Sequence, residues 1–197
     1  MRVMIAAFIL LFLVAFTNYL MIFFSCHGLK EYGAWLNKYH RIDLWCIRIL
    51  VQNGIAVYTT WTSIASLINF TITLSYDAGM NKTDAATLAL SLLLVAVIAW
   101  FVLENTLLDR HVRYILTIYP VIIVALSGGM TKNFDASAPA LNSVFTAVLL
   151  AIACVLLVVK VCLVIWRHLK QPIYGDTITP GMMLPMEIAE KQKRILM

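Results

Sequence analysis

The sequence predicts an all-α, polytopic membrane protein: a bundle of five transmembrane helices with its N-terminus outside and its C-terminus cytosolic. Three observations lead there. Of 197 residues, 62% are hydrophobic and only 13% charged, too little polar surface to cover a domain in water. Five stretches, 3–29, 49–76, 85–103, 114–131 and 136–159, hold no Asp, Glu, Lys or Arg, and a bilayer core about 30 Å thick takes roughly 20 apolar residues as a helix. The basic residues also sort by side. Lys30, Lys38, Arg41 and Arg48 follow the first stretch, Arg110 and Arg113 the third, and Arg167, Lys170, Lys191, Lys193 and Arg194 the fifth. The alternate segments hold only Arg2, Lys82 and Lys132, so the positive-inside rule puts the larger set in the cytosol. Strands are disfavoured because barrel strands alternate apolar with polar residues, and these runs are apolar all round.

The helices are expected near 3–24, 47–74, 85–103, 114–129 and 141–166, followed by a largely flexible cytosolic tail over 169–197. The first run is twice as long as a signal-peptide core and is read as a span. Residues 25–43 carry Leu29, Tyr32, Leu36, Tyr39 and Ile42 at helical spacing, which reads as a short amphipathic helix lying on the inner leaflet. The next outer loop contains Asn81-Lys82-Thr83, an N-glycosylation acceptor, with Thr83 or Asp84 expected to cap the third helix. Pro120 is expected to kink the fourth helix, where Ala125 and Gly129 offer a small-residue contact face. Ser137-Ala138-Pro139 supplies turn chemistry ahead of the fifth helix. The tail is broken by Pro172, Pro180, Gly181 and Pro185, and a short helix is expected over 186–197.

Cys26, Cys46, Cys154 and Cys162 all lie in or beside predicted helices, so no disulfide scaffold is indicated. The net charge of +5 is explained by the sorting of basic residues, and no nucleic-acid partner is expected. His27 and His40 fit no recurring metal spacing. There is no phosphate-binding glycine loop, no Ser nucleophile motif and no Cys/His cluster, so neither catalytic residues nor a metal or cofactor is assigned.

The second helix is the unusual one. Gln52, Asn53, Tyr58, Thr59, Thr60, Trp61, Thr62, Ser63, Ser66 and Asn69 put many hydrogen-bonding groups at membrane depth. Tyr58, Trp61, Ala65 and Asn69 recur at three or four residues and form one stripe. Two readings stay open: close helix packing, or a cavity for an apolar ligand with one polar group, with Asn53, Tyr58, Trp61 and Asn69 as candidate residues. Glu104 and Lys160 are the charges expected to enter the hydrocarbon region, at matching depths. Either they pair with each other, or Lys160 snorkels while Glu104 meets Arg48 or Arg110.

Three resemblances accompany these readings. The segments 43–54, 58–69, 103–105 and 109–114 resemble a family of animal multi-pass membrane proteins whose activity is uncharacterised. Its longer members carry further N-terminal helices, which would make this chain a short form. The pattern Tyr58, Trp61, Ala65, Asn69 also resembles one in the last helix of the tryptophan-rich sensory protein, or translocator protein, family, and so implies a sterol- or tetrapyrrole-class ligand. The run Asp109-Arg110-His111 with Tyr114 resembles the Asp-Arg-Tyr region of rhodopsin-like receptors, but the outer Cys pair and the sixth and seventh helices of that family are missing. The leading expectation is therefore a multi-pass protein of the plasma membrane or endomembrane system that binds a hydrophobic small molecule through its second helix. The alternative is a structural or accessory subunit packing on a membrane-protein partner or a second copy. A transporter or receptor-like protein ranks third.

Overall fold

The computed structural model describes residues 2–133, 141–174 and Arg194. The expected turn at 137–139 and the expected tail helix over 186–197 lie outside the described residues, Arg194 excepted. Everything described is helix, turn or connecting chain, with no strand among the described residues.

α1 spans Arg2–Tyr39, 38 residues in one helix and so about 57 Å long. The separate amphipathic helix expected over 25–43 is instead the end of this rod. Nothing within it forces a break: Gly28 and Gly33 cost about 1 kcal/mol each, and no proline intervenes. The chain turns only at His40, whose φ of −139° and ψ of 55° leave the helical region.

α2 (Arg41–Cys46), a π-helical segment (Ile47–Gln52) and α3 (Asn53–Tyr76) follow as one near-continuous rod. The widened π turn brings Arg48 and Gln52 inside, at 5% and 3% exposure. Gly79, with φ of +68°, makes the turn that follows, a conformation suited to a residue without Cβ. α4 spans Lys82–Thr106. Its cap is Asn81, whose side chain accepts from the Thr83 N–H at 3.1 Å. Thr83 and Asp84, expected as caps, already sit in the first turn, where Asp84 complements the helix dipole.

α5 (Asp109–Val112) is a single turn, α6 spans Ile118–Asn133 and α7 spans Leu141–Lys170. α6 starts four residues later than the expected 114. Pro120 falls in its first turn, where the missing N–H would have no intrahelical acceptor, so it begins the helix instead of kinking it.

Among the described residues, four helices are long and apolar enough to cross a membrane: Ile5–Tyr39, Arg41–Tyr76, Lys82–Thr106 and Leu141–Lys170, with Ile118–Thr131 shorter. Their outer faces are strongly apolar, as at Phe23, Val95 and Val158, each more than 60% exposed. Such a surface would aggregate in water and matches a hydrocarbon solvent. α3 is central, packing on α1, α4 and α6, and α7 closes the bundle against α6 and α4. Val97, Tyr119, Ile122, Leu126, Leu149 and Ala153 form the main core. A smaller one gathers Cys26, Ala56, Val112 and Ile115 at the end of the bundle where Arg113 lies.

Candidate functional site

Polar chemistry inside this bundle is concentrated in three places. The first is a buried triad joining α4, α6 and α7. Lys160 Nζ stands 3.0 Å from Glu104 Oε2, with 1% and 0% of the two side chains exposed. The Tyr119 hydroxyl donates to Glu104 Oε1 at 2.5 Å. Glu104 therefore meets neither Arg48 nor Arg110. Three helices share one carboxylate, which suits a structural clamp, and no chain of ionisable groups continues from it among the described residues.

The second is the network at the Arg113 end. Asp109 accepts from Arg113 and, at 2.5 Å, from Arg167. Burial works to raise its carboxyl, but hydrogen bonds and charge from the two guanidinium groups hold it below the usual carboxylate range. Arg113 also donates to the Gln171 carbonyl at 2.6 Å, tying the end of α7 to α5. Arg48 lies 4.3 Å from the Tyr114 ring centre and 5.3 Å from those of Trp45 and Tyr174, a cation held by three aromatic faces. Tyr174 in turn donates to the Leu29 carbonyl at 2.7 Å.

Asn53, a candidate ligand residue, is bonded to backbone. Its Nδ2 donates to the carbonyls of Arg48 at 2.8 Å and Tyr114 at 2.9 Å, and its Oδ1 accepts from the Leu116 N–H at 2.9 Å. It pins the non-helical chain between α5 and α6.

The third is a cavity of about 620 Å³ lined by α1, α3, α4, α5 and α6. On α3 the lining residues are Ala56, Thr59, Thr60, Ser63, Ile64 and Leu67. The candidate stripe faces elsewhere: Tyr58 and Trp61 are 54% and 52% exposed, and Asn69 is half-buried and donates to the Ala65 carbonyl at 3.0 Å. The two faces differ for a physical reason. The hydroxyls of Thr59, Thr60 and Ser63 all donate to carbonyls four residues back, at 2.8 Å. Thus satisfied, they present mostly carbon to the cavity, while bulky aromatics take the outer face. The small residues at 56, 59, 60 and 63 are the sequence signal for this lining, and the aromatic stripe lies on another face of α3.

The cavity wall also carries Cys26, whose thiol accepts from Gln52 Nε2 at 3.6 Å, and Tyr19, whose hydroxyl is 3.0 Å from Ser63 Oγ. Trp100 and His111 line it as well. Asn81 is exposed at the start of α4, at the opposite end of that helix from Glu104. No group of three potential metal ligands stands together among the described residues. The chain matches no protein-family model, no curated protein and no solved structure.

Proposed function

We propose that this protein crosses the bilayer five times and holds one apolar, lipid-like molecule in the cavity between α1, α3, α4 and α6, acting as a binding protein and not as an enzyme. The observation that carries the reading is the cavity itself. At about 620 Å³ it lies within the usual range for small-molecule sites of about 300–1,000 Å³, and its wall is apolar with a few polar atoms, the composition such sites share.

The fifth crossing is α6 with the chain before it. Sixteen helical residues cover about 24 Å, and the non-helical chain at 115–117 can add up to roughly 10 Å, together enough for a hydrocarbon core of about 30 Å. Non-helical backbone at that depth is tolerated where protein groups satisfy it, and Asn53 does so for Tyr114 and Leu116. With the basic residues sorted as they are, the Arg113 end faces the cytosol of a plasma or endomembrane and Asn81 faces outside. A deglycosylation-sensitive mobility shift that Asn81→Gln removes supports this orientation, and a glycan on an acceptor engineered at residue 171 overturns it.

Native mass spectrometry of the purified full chain tests the site. A retained lipid-like adduct is expected in the native protein and in Trp61→Ala, and is expected to disappear in Ala96→Trp, which fills the cavity wall of α4. An adduct that survives Ala96→Trp overturns the cavity as its site.

The exposed pair Tyr58 and Trp61 favours a second reading, in which the outer face of α3 packs on another membrane protein or a second copy. Disulfide trapping of a dimer in membranes through Trp61→Cys is the result expected of the homo-oligomer.

A further inference from the structure

The cavity is bounded differently at its end and along its side. At the Arg113 end the single turn of α5 packs on both α1 and α4 and so bridges them. Beyond α5 nothing joins the two: among the described residues no Cα of α1 lies within 8 Å of one of α4. The rims of this gap are lining residues that are also exposed, Tyr19 and Phe23 on α1 and Ala96 on α4. α3 forms the floor between them, where Thr60, Ser63, Ile64 and Leu67 are half-buried and line the space. The cavity is thus bridged at one end and open sideways, onto the apolar outer face of the bundle.

Its length narrows what can fill it. On α1 the lining runs from Tyr19 to Lys30 and on α3 from Ala56 to Leu67, eleven residues and so about 16 Å of helix on each. The near end lies where charge begins, since Lys30 is the first ionised side chain after the charge-free stretch 3–29. The far end lies at mid-depth, because Leu93 stands close to the centre of α4, which spans Lys82–Thr106. Half of a hydrocarbon core about 30 Å thick is about 15 Å. The cavity therefore covers the depth of one leaflet's acyl chains and stops near their ends. No Asp, Glu or Arg lines it among the described residues.

We infer that the occupant is one acyl chain of an inner-leaflet phospholipid, which enters through the gap between α1 and α4 while its headgroup and second chain stay in the bilayer outside. This rests on the binding reading and the orientation given above, and adds the ligand class and its route. A lining of carbon and satisfied hydroxyls offers a headgroup nothing, so the head remains at the rim, where exposed Lys30 and His27 stand at the level of the lipid phosphates. An amphiphile arriving from the cytosol would have to pass α5 and carry its polar head through that lining.

The test uses the full chain in discs of phosphatidylcholine doped with one of two photoreactive phosphatidylcholines, the diazirine placed either beside the ester of one acyl chain or at that chain's end. Labelled residues are mapped by peptide mass spectrometry. The end-of-chain probe is expected on Ile64, Leu67 and Leu93, and the ester-proximal probe on His27, Trp100 and Leu108, a shift of seven residues or about 10 Å along α4. Ala96→Trp should abolish both sets of labels, while labelling of Val155 and Val158 on the exposed face of α7 persists and reports a folded bundle. The register in the native protein is decisive by itself if that variant does not fold. The reversed register overturns the inner-leaflet lipid. Labelling of the same residues by a photoreactive sterol or free fatty acid, with neither phospholipid reaching them, overturns the phospholipid and leaves the binding reading standing. If Val155 and Val158 are labelled and no probe reaches the cavity, both readings fail, and a disulfide dimer through Phe23→Cys would identify a second copy in the gap.

Discussion

Replacing Lys160 with methionine tests the buried triad most directly. The substitution keeps the aliphatic stem and removes the ammonium that stands 3.0 Å from Glu104 Oε2. Glu104 then retains only the Tyr119 hydroxyl, in a site where neither it nor Tyr119 has any exposure. Two unit charges at this distance attract by roughly 5 kcal/mol at an effective dielectric constant of about 20. Removing one partner from a buried pair costs about 3–5 kcal/mol, because the other charge is left unpaired. Glu104→Gln should cost a similar amount by stranding the ammonium. The double variant, Glu104→Gln with Lys160→Met, behaves differently. Its new side-chain amide carbonyl still accepts from Tyr119, the thioether that replaces the ammonium needs no partner, and no charge is buried. It should lie within about 1–3 kcal/mol of the native protein, the cost of unsatisfied amide hydrogens. Reversible unfolding in mixed micelles, followed by titration with a denaturing detergent, measures all four proteins. A coupling of at least about 3 kcal/mol is expected. If the double variant costs the sum of the two singles to within about 0.5 kcal/mol, the triad does not act as a unit and the clamp is refuted.

Four further outcomes are expected. Asn53→Leu should destabilise by about 2–4 kcal/mol, since it removes three hydrogen bonds and leaves the Tyr114 carbonyl and Leu116 N–H unpaired, and hydrogen exchange at Leu116 should accelerate. Because Asp109 titrates lower in the folded protein than its unfolded value of about 3.9, its contribution is present above that value and is lost as pH falls through the folded one. Acid unfolding below about pH 4 should therefore be blunted in Asp109→Asn, which is less stable at neutral pH, and an unchanged acid limb would count against the guanidinium clamp. Gly33→Ala should displace Tyr174, whose hydroxyl occupies the place of the new Cβ, and speed proteolysis after residue 170. Gly28→Ala meets open space and should be neutral or stabilising by about 0.5–1 kcal/mol.

Glu104 and Lys160 illustrate what a sequence can reveal. Their distances from Asp109 and Arg167, the charges at the inner ends of their helices, place them at one depth, and a helix converts residue number to depth directly. The charge-free stretches likewise coincide with α1, α3, α4, α6 and α7, because ionised groups are costly in hydrocarbon wherever they fall. The late start of α6 was harder to read. The backbone freed at 114–116 is satisfied by Asn53, more than sixty residues earlier, and no local pattern encodes a partner so distant.

The cavity was hidden for a different reason. In water an aromatic stripe at helical spacing marks the buried face, because burial there removes apolar surface from solvent. In lipid that force vanishes, and what remains is packing: small side chains let helices approach, and large ones are as well solvated by acyl chains as by protein. α3 follows the second rule. Ala56, Thr59 and Ser66 are buried, with 0%, 3% and 8% exposure, whereas Tyr58 and Trp61 are more than half exposed. Threonine and serine suit the inner face because each hydroxyl donates to the carbonyl four residues back, and so carries no unmet polar demand into the interior. The unmet demand lies instead on Trp100 and His111, which neither spacing nor composition singles out, since an indole or imidazole near a helix end ordinarily finds water or a carbonyl. Only the packing around them shows that here they find neither.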